Sequence, residues 1–147
     1  MRAKWLAAAA MLAAAAVAYA GTVGRASTGP ATVRITDRQV VYKLIGSGIG
    51  AREIVRSALY QRGEGKRTIG QAATLCTYVA TAERTCSTTY TLPKGTIVVS
   101  GVLWSRLLYE LAIVGGTGLY DNARGTLTAT VIGLRPRRDL LLFRLSG

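Results

Sequence analysis

The sequence contains no histidine. That absence removes Ser-His and Cys-His nucleophile pairs, imidazole general bases and nearly every zinc or iron site. Acidic side chains are scarce too: seven Asp and Glu stand against 19 Lys and Arg, for a net charge of +12 over 147 residues. Seven scattered carboxylates do not make a calcium loop. The expectation is therefore a chain with no metal and no cofactor. Half of the residues are hydrophobic, which excludes intrinsic disorder, and the length supports one domain.

Long apolar runs are absent after the first twenty residues. Arg2 and Lys4 precede the Ala-rich run Leu6–Val17, and Ala18-Tyr19-Ala20 closes it with small residues. The pattern predicts a secretory signal peptide over residues 1–20, cleaved after Ala20. The run is shorter than the about 20 apolar residues of a membrane span. No transmembrane segment is expected after cleavage, and the protein is expected outside the cell or in the envelope. In that oxidising setting an even cysteine count favours one disulfide, between Cys76 and Cys86.

Fifteen of the basic residues are Arg, and they are scattered. Arg135, Arg137 and Arg138, flanking Pro136, form the one tight cluster. No aromatic residue interleaves it for base stacking. A nucleic-acid partner is not expected, and a solvated surface is favoured over adhesion to an anionic envelope.

Gly21–Thr32 reads as a flexible leader, rich in Gly, Ser and Thr with Pro30. From residue 33 to 147, β-branched and aromatic runs alternate with Gly, Pro and charged breaks. Eight strands are predicted: Arg38–Ile45, Glu53–Gln61, Ile69–Ala80, Arg84–Leu92, Thr96–Trp104, Leu107–Val114, Gly125–Ile132 and Asp139–Leu145. Eight short strands with tight turns imply an all-β barrel or sandwich. Ile97, Val99 and Leu103 share one face of their strand, and Val98, Val102 and Trp104 the other. Apolarity on both faces predicts that the outer one is covered, most simply by another subunit. Cys76 and Cys86 are symmetric about Thr81, so a hairpin there pairs them directly. Thr74 and Tyr78 then share a face with Cys76, and Thr88 and Tyr90 with Cys86.

Gly46-Ser47-Gly48-Ile49-Gly50-Ala51 matches the dinucleotide pattern G-x-G-x-x-G/A. A strand-like run follows it rather than a helix, so a glycine turn is the better reading. The most specific stretch is Gly115-Gly116-Thr117-Gly118-Leu119-Tyr120, followed by Ala123-Arg124-Gly125. It gives a glycine turn between two strands, and no Lys follows in P-loop fashion. Arg124 is predicted to be structural, with Asp121 as its partner.

This stretch, with Ala112-Ile113-Val114 before it, resembles the barrel of plant allene oxide cyclases and dirigent proteins. Ala58-Leu59-Tyr60, Ile69-Gly70, Leu75-Cys76, Gly95–Gly101 and Leu141–Leu145 resemble cyclase positions in the same order. The resemblance implies an eight-stranded antiparallel barrel over 33–147. It also implies a small hydrophobic ligand in the lumen and a trimer, with Val98, Val102 and Trp104 as interface candidates. Lys43 and Ile45 stand where the plant cyclase has a lumen glutamate and asparagine. Leu103 lies near its lumen tyrosine, and Cys76 at its lumen cysteine. The early aspartate of dirigent proteins has no clear counterpart within Val40–Ile45. Allene oxide cyclisation itself is thus not implied. Strand parity and the alignment nominate Lys43, Tyr78 and Tyr90 as catalytic groups, with Thr74 and Leu103 lining the ligand site. The two functions to weigh are a cofactor-free cyclase, isomerase or dirigent-like guide, and a non-catalytic carrier or envelope structural protein.

Overall fold

The structure is a computed structural model and describes residues 31–61 and 67–146. The expected signal peptide and residues 21–30 of the expected leader lie outside the described residues. Eight strands follow in order: β1 (Ala31–Ile45), β2 (Arg52–Gln61), β3 (Gly70–Tyr78), β4 (Arg84–Leu92), β5 (Gly95–Leu103), β6 (Leu108–Gly116), β7 (Arg124–Leu134) and β8 (Arg137–Ser146). Each pairs antiparallel with the next, and β8 closes onto β1. The result is an up-and-down barrel with no open sheet end along Ala31–Arg38.

Alternation builds the wall. On β4, Arg84, Cys86, Thr88, Tyr90 and Leu92 are buried, while Thr85, Ser87 and Thr91 are exposed. On β5, Ile97, Val99 and Leu103 are buried in the lumen, and Val102 faces out. The middle of the lumen is packed solid by Ile35, Leu59, Ile97, Val99, Leu127, Leu141 and Phe143. Burying each large apolar side chain there contributes about 1.5–3 kcal/mol. The Tyr90 ring closes the top of this plug, edge-on to Phe143 at 5.0 Å. Cys76 and Cys86 are directly opposed across β3 and β4 and are disulfide-bonded.

Every predicted strand is present, most with ends moved by one or two residues, and the largest change is in β1. β1 begins at Ala31 rather than Arg38, so Ala31 and Thr32 belong to the barrel and not to the leader. Its first half is held by β8, from Ala31 opposite Leu145 to Arg38 opposite Arg138, a pairing that no local pattern announces. A bulge then interrupts β1: Gln39 pairs with Ser57 but Val41 with Arg56. The extra residue reverses the facing of everything after it. Tyr42 and Leu44 take the inward face, and Lys43 is turned outward opposite Ile54.

The turns β1–β2, β3–β4, β5–β6 and β7–β8 share one end of the barrel, here the mouth end. The other turns lie at the far end. The glycine stretch belongs to the far end. Thr117 and Thr96 join their hydroxyls at 2.7 Å, and Leu119 N–H donates to the Lys94 carbonyl at 2.8 Å. Gly118 has φ +64°, and a Cβ there would meet the Lys94 carbonyl oxygen at 2.4 Å. The Gly46–Gly50 run is the β1–β2 turn between antiparallel strands, not the strand-to-helix turn of a nucleotide fold.

Candidate functional site

Above the Tyr90 plug, the mouth end holds the polar residues of the lumen in two groups. The first centres on Glu53, which β2 presents inward and buries. Its Oε2 faces Arg84 Nε at 3.3 Å, and both side chains are buried. Its Oε1 accepts from Tyr42 at 3.3 Å, from Arg106 Nη2 at 3.1 Å and from the Tyr78 hydroxyl. Arg106 Nη2 also donates to the Tyr78 oxygen at 2.6 Å. The hydrogen bond to Glu53, then burial, raise the Tyr78 pKa. Burial and the Glu53 charge do the same for Tyr42. Both phenols therefore stay protonated and act as donors, not bases.

The second group centres on two carboxyls. Asp37 on β1 and Asp139 on β8 are directly opposed in the sheet register. Burial pushes the Asp37 carboxyl up to about 7; its hydrogen bond with Ser57 opposes this, and the Asp139 charge adds to the rise. Asp139 is buried. Its Oδ2 accepts from the Tyr109 hydroxyl at 3.2 Å and from Arg137 Nη2 at 3.2 Å. Its Oδ1 pairs with Arg137 Nε at 3.2 Å but accepts no hydrogen bond among the described residues. Burial and the neighbouring Asp139 charge lift the Tyr109 pKa well above the ordinary phenol value. Arg137 Nη2 further donates to the Arg106 carbonyl at 2.8 Å, tying the β5–β6 turn to β8. Chemically this is an acid that titrates near neutrality, beside a carboxyl paired with an arginine.

Both groups line one cavity of about 90 Å³, with Val55, Thr74, Cys76, Tyr90 and Leu103 completing its wall. That volume admits a head group, not a whole drug-sized molecule. A larger cavity, about 470 Å³, opens at the far end, where Val33, Ile35, Ile69, Leu92, Ala123 and Leu145 supply an apolar lining.

Residues 34–141 match the model of the allene oxide cyclase barrel-like domain. The chain belongs to that family. Among solved structures it is similar to pyocyanin demethylase, at 21% identity over 77% of this chain and 100% of that one, with a TM-score of 0.66. It is similar to a pterocarpan synthase dirigent protein, at 17% identity over 79% of this chain and 87% of that one, with a TM-score of 0.62. A third likeness is to an exo-specific intermolecular Diels-Alderase, at 15% identity over 81% of this chain and 99% of that one, with a TM-score of 0.63. No curated protein is significantly similar to the chain. At these identities the likeness to the solved structures establishes the shared barrel.

On this family barrel the residues nominated from sequence separate. Thr74, Tyr90 and Leu103 line the mouth cavity, and Thr74 shares a 2.8 Å hydrogen bond with Thr88. Tyr78 joins the Glu53 group at its rim. Lys43 does not belong: the β1 bulge turns it to the exposed outer wall. Asp121 is not the partner of Arg124. Arg124 Nη1 instead donates to the Val114 and Ala123 carbonyls at 3.0 and 2.9 Å. Sequence reasoning missed Asp37, Tyr42, Glu53, Arg84, Arg106, Tyr109, Arg137 and Asp139. For Asp37 a signal existed: it continues the inward parity of Val33 and Ile35. Val40–Ile45, where an early aspartate was sought, begins just past it.

Proposed function

We propose that the mouth end of this barrel is a proton-transfer and orienting site for a small hydrophobic substrate with a polar head. The reaction class is cofactor-free isomerisation, cyclisation or stereochemical guidance. The observation that carries this reading is the opposed Asp37–Asp139 pair, one carboxyl titrating near neutrality and the other held by Arg137 and Tyr109. Asp37 supplies the proton. Asp139 and Glu53 stabilise positive charge developing on the substrate, and Arg106 and Arg137 can receive negative charge. The plug beneath Tyr90 limits entry to the head group, so the hydrophobic remainder lies at the mouth and its conformation is chosen there. Secretion after cleavage at Ala20, and a trimer joined through the outer face of β5, belong to the same proposal. Val102 is exposed on the single chain, which supports a covered face of β5.

The test is incubation with a panel of epoxides and conjugated polyenes, with product stereochemistry read by chiral chromatography. Asp37→Asn should lower turnover by about 10²-fold or more, the usual worth of a positioned general acid. Equal turnover by a folded Asp37→Asn protein would refute the role. A second reading, hydrophobic-ligand carriage, is favoured by the far-end cavity of about 470 Å³. If that reading holds, a fluorescent fatty acid binds, Ile69→Trp blocks it, and Asp37→Asn does not.

A further inference from the structure

We propose that the mouth end docks on an anionic lipid surface. The inference rests on what the four mouth-end turns carry, and it does not require the barrel to be catalytic. Each of the first three turns presents a large apolar residue to solvent, and the β7 end supplies a fourth. Ile49 on β1–β2 is 76% exposed, Trp104 and Leu107 on β5–β6 are 74% and 64% exposed, and Leu134 at the end of β7 is 69% exposed. Val79 on β3–β4 is exposed as well. These side chains stand on separate short turns around the lumen opening, not on one continuous strand face. The turns of the far end differ. Among the described residues there, Leu119 is the one exposed large aliphatic side chain.

The charge at the mouth end points to the same occupant. Arg52, Arg106 and Arg135 are exposed there. The acidic groups at this end are Glu53, buried against Arg84 and Arg106, Asp37 and Asp139 inside the lumen with Asp139 paired to Arg137, and Glu83 on the β3–β4 turn. A ring of apolar tips with interspersed arginines fits a bilayer interface. The tips enter the headgroup and upper acyl region, tryptophan favours that depth, and guanidinium groups meet lipid phosphates. After cleavage at Ala20 the chain keeps 17 basic side chains against 7 acidic, a net charge of +10, which adds long-range attraction to an anionic surface. In this arrangement the mouth cavity opens toward the lipid, and the polar head of a bilayer-dissolved molecule can enter it while the hydrophobic remainder stays in the lipid.

The experiment is co-sedimentation of the chain cleaved after Ala20 with vesicles of phosphatidylglycerol and phosphatidylcholine, beside vesicles of phosphatidylcholine alone. Binding to the anionic vesicles is expected, weakened at least tenfold on pure phosphatidylcholine. It should also weaken as salt rises and the charge attraction is screened. Trp104→Ser with Leu107→Ser should lower affinity for the anionic vesicles at least tenfold, and Arg135→Gln should lower it by less. Leu119→Ser at the far end should change nothing. Thermal melting confirms that each variant is folded. No binding to anionic vesicles, or equal binding by the Trp104/Leu107 variant, overturns the proposal. So does a variant that binds vesicles normally but falls from oligomer to monomer in light scattering, since the patch would then serve a second copy of the chain. Loss of vesicle binding with turnover of a soluble substrate intact leaves the acid–base reading untouched.

Discussion

The two ends of the lumen differ in what they bury. The mouth end encloses about 90 Å³ among three carboxyls, three arginines and three tyrosines. The far end opens about 470 Å³ among aliphatic side chains. Between them Tyr90, Phe143 and the aliphatic plug leave no continuous passage of comparable width. Charge explains the small volume. Buried carboxylates need partners within reach, and every arginine or phenol drawn in to satisfy Glu53 or Asp139 fills space that a ligand would use. The charged groups at the far-end cavity, Arg34, Lys94 and Asp121, are exposed to water and need no buried partner, so that end can remain open. Reactive groups and room are thus separated along one barrel axis, and each can be perturbed without the other.

The largest effect is expected at Glu53. Glu53→Gln leaves Arg84 buried against a neutral partner, which should cost about 3–5 kcal/mol of stability in urea unfolding. Replacing both partners, with Glu53→Leu and Arg84→Met together, should cost far less, because no uncompensated charge remains. If the double variant is as unstable as the single, packing and not charge holds the mouth end together, and the contrast between the ends fails.

Asp37 should give the next effect, and its sign is fixed by the direction of its shift. A carboxyl raised from 3.8 to about 7 binds its proton more tightly in the folded chain than in the unfolded one. Its contribution to stability is present below about pH 4 and is lost as pH rises through about 7. Asp37→Asn should therefore flatten the fall in melting temperature between pH 4 and pH 8, and should be the more stable protein at pH 8. Identical pH profiles would show that Asp37 ionises normally, removing the mouth end's proton donor.

These residues also show what the sequence could disclose. Strand parity placed Thr74, Tyr90 and Leu103 in the lumen, because β3, β4 and β5 run without interruption. The same parity failed for Lys43. One bulge residue in β1 reverses the facing, and Gln39-Val40-Val41 carries no glycine or proline to announce it. Asp37 and Asp139 lie far apart in sequence and meet through the closure of β8 on β1. Glu53 and Arg106 meet because a turn folds over the mouth. Such encounters belong to barrel closure, and neither composition nor periodicity encodes them locally. The eight strands were legible because each is a short β-branched or aromatic run bounded by glycine, proline or charged breaks.

The disulfide belongs to the mouth end, where Cys76 lines the cavity. It spans ten positions of sequence, so Cys76→Ser with Cys86→Ser should lower stability by about 2–3 kcal/mol through the looser unfolded chain. Asp37, on β1 and separated from β3 by β2, should keep its raised titration in that variant. A loss of the shift, read by carbon-13 NMR of the carboxyl, would mean that the bond shapes the proton-transfer pair and does not merely fasten the β3–β4 hairpin.

The smallest effect should come from Arg124, at the far end. Its guanidinium lies largely in solvent and donates to two carbonyls, those of Val114 on β6 and Ala123 at the entry to β7. It therefore pins the chain on both sides of the glycine turn without any carboxylate partner. Two hydrogen bonds of this kind, one exposed and one part-buried, contribute about 1 kcal/mol together. Arg124→Ala should lower the melting temperature by about 3–6 °C for a barrel of this size. Arg124→Lys should recover part of it, since both bonds leave one nitrogen, Nη1, and an ammonium also carries several N–H donors on one atom. Titration of Asp37 and vesicle binding should be unchanged in both variants, because the packed plug separates Arg124 from the mouth. A shift in the Asp37 titration on Arg124→Ala would mean that the two ends communicate through the plug, and the barrel would have to be treated as one site.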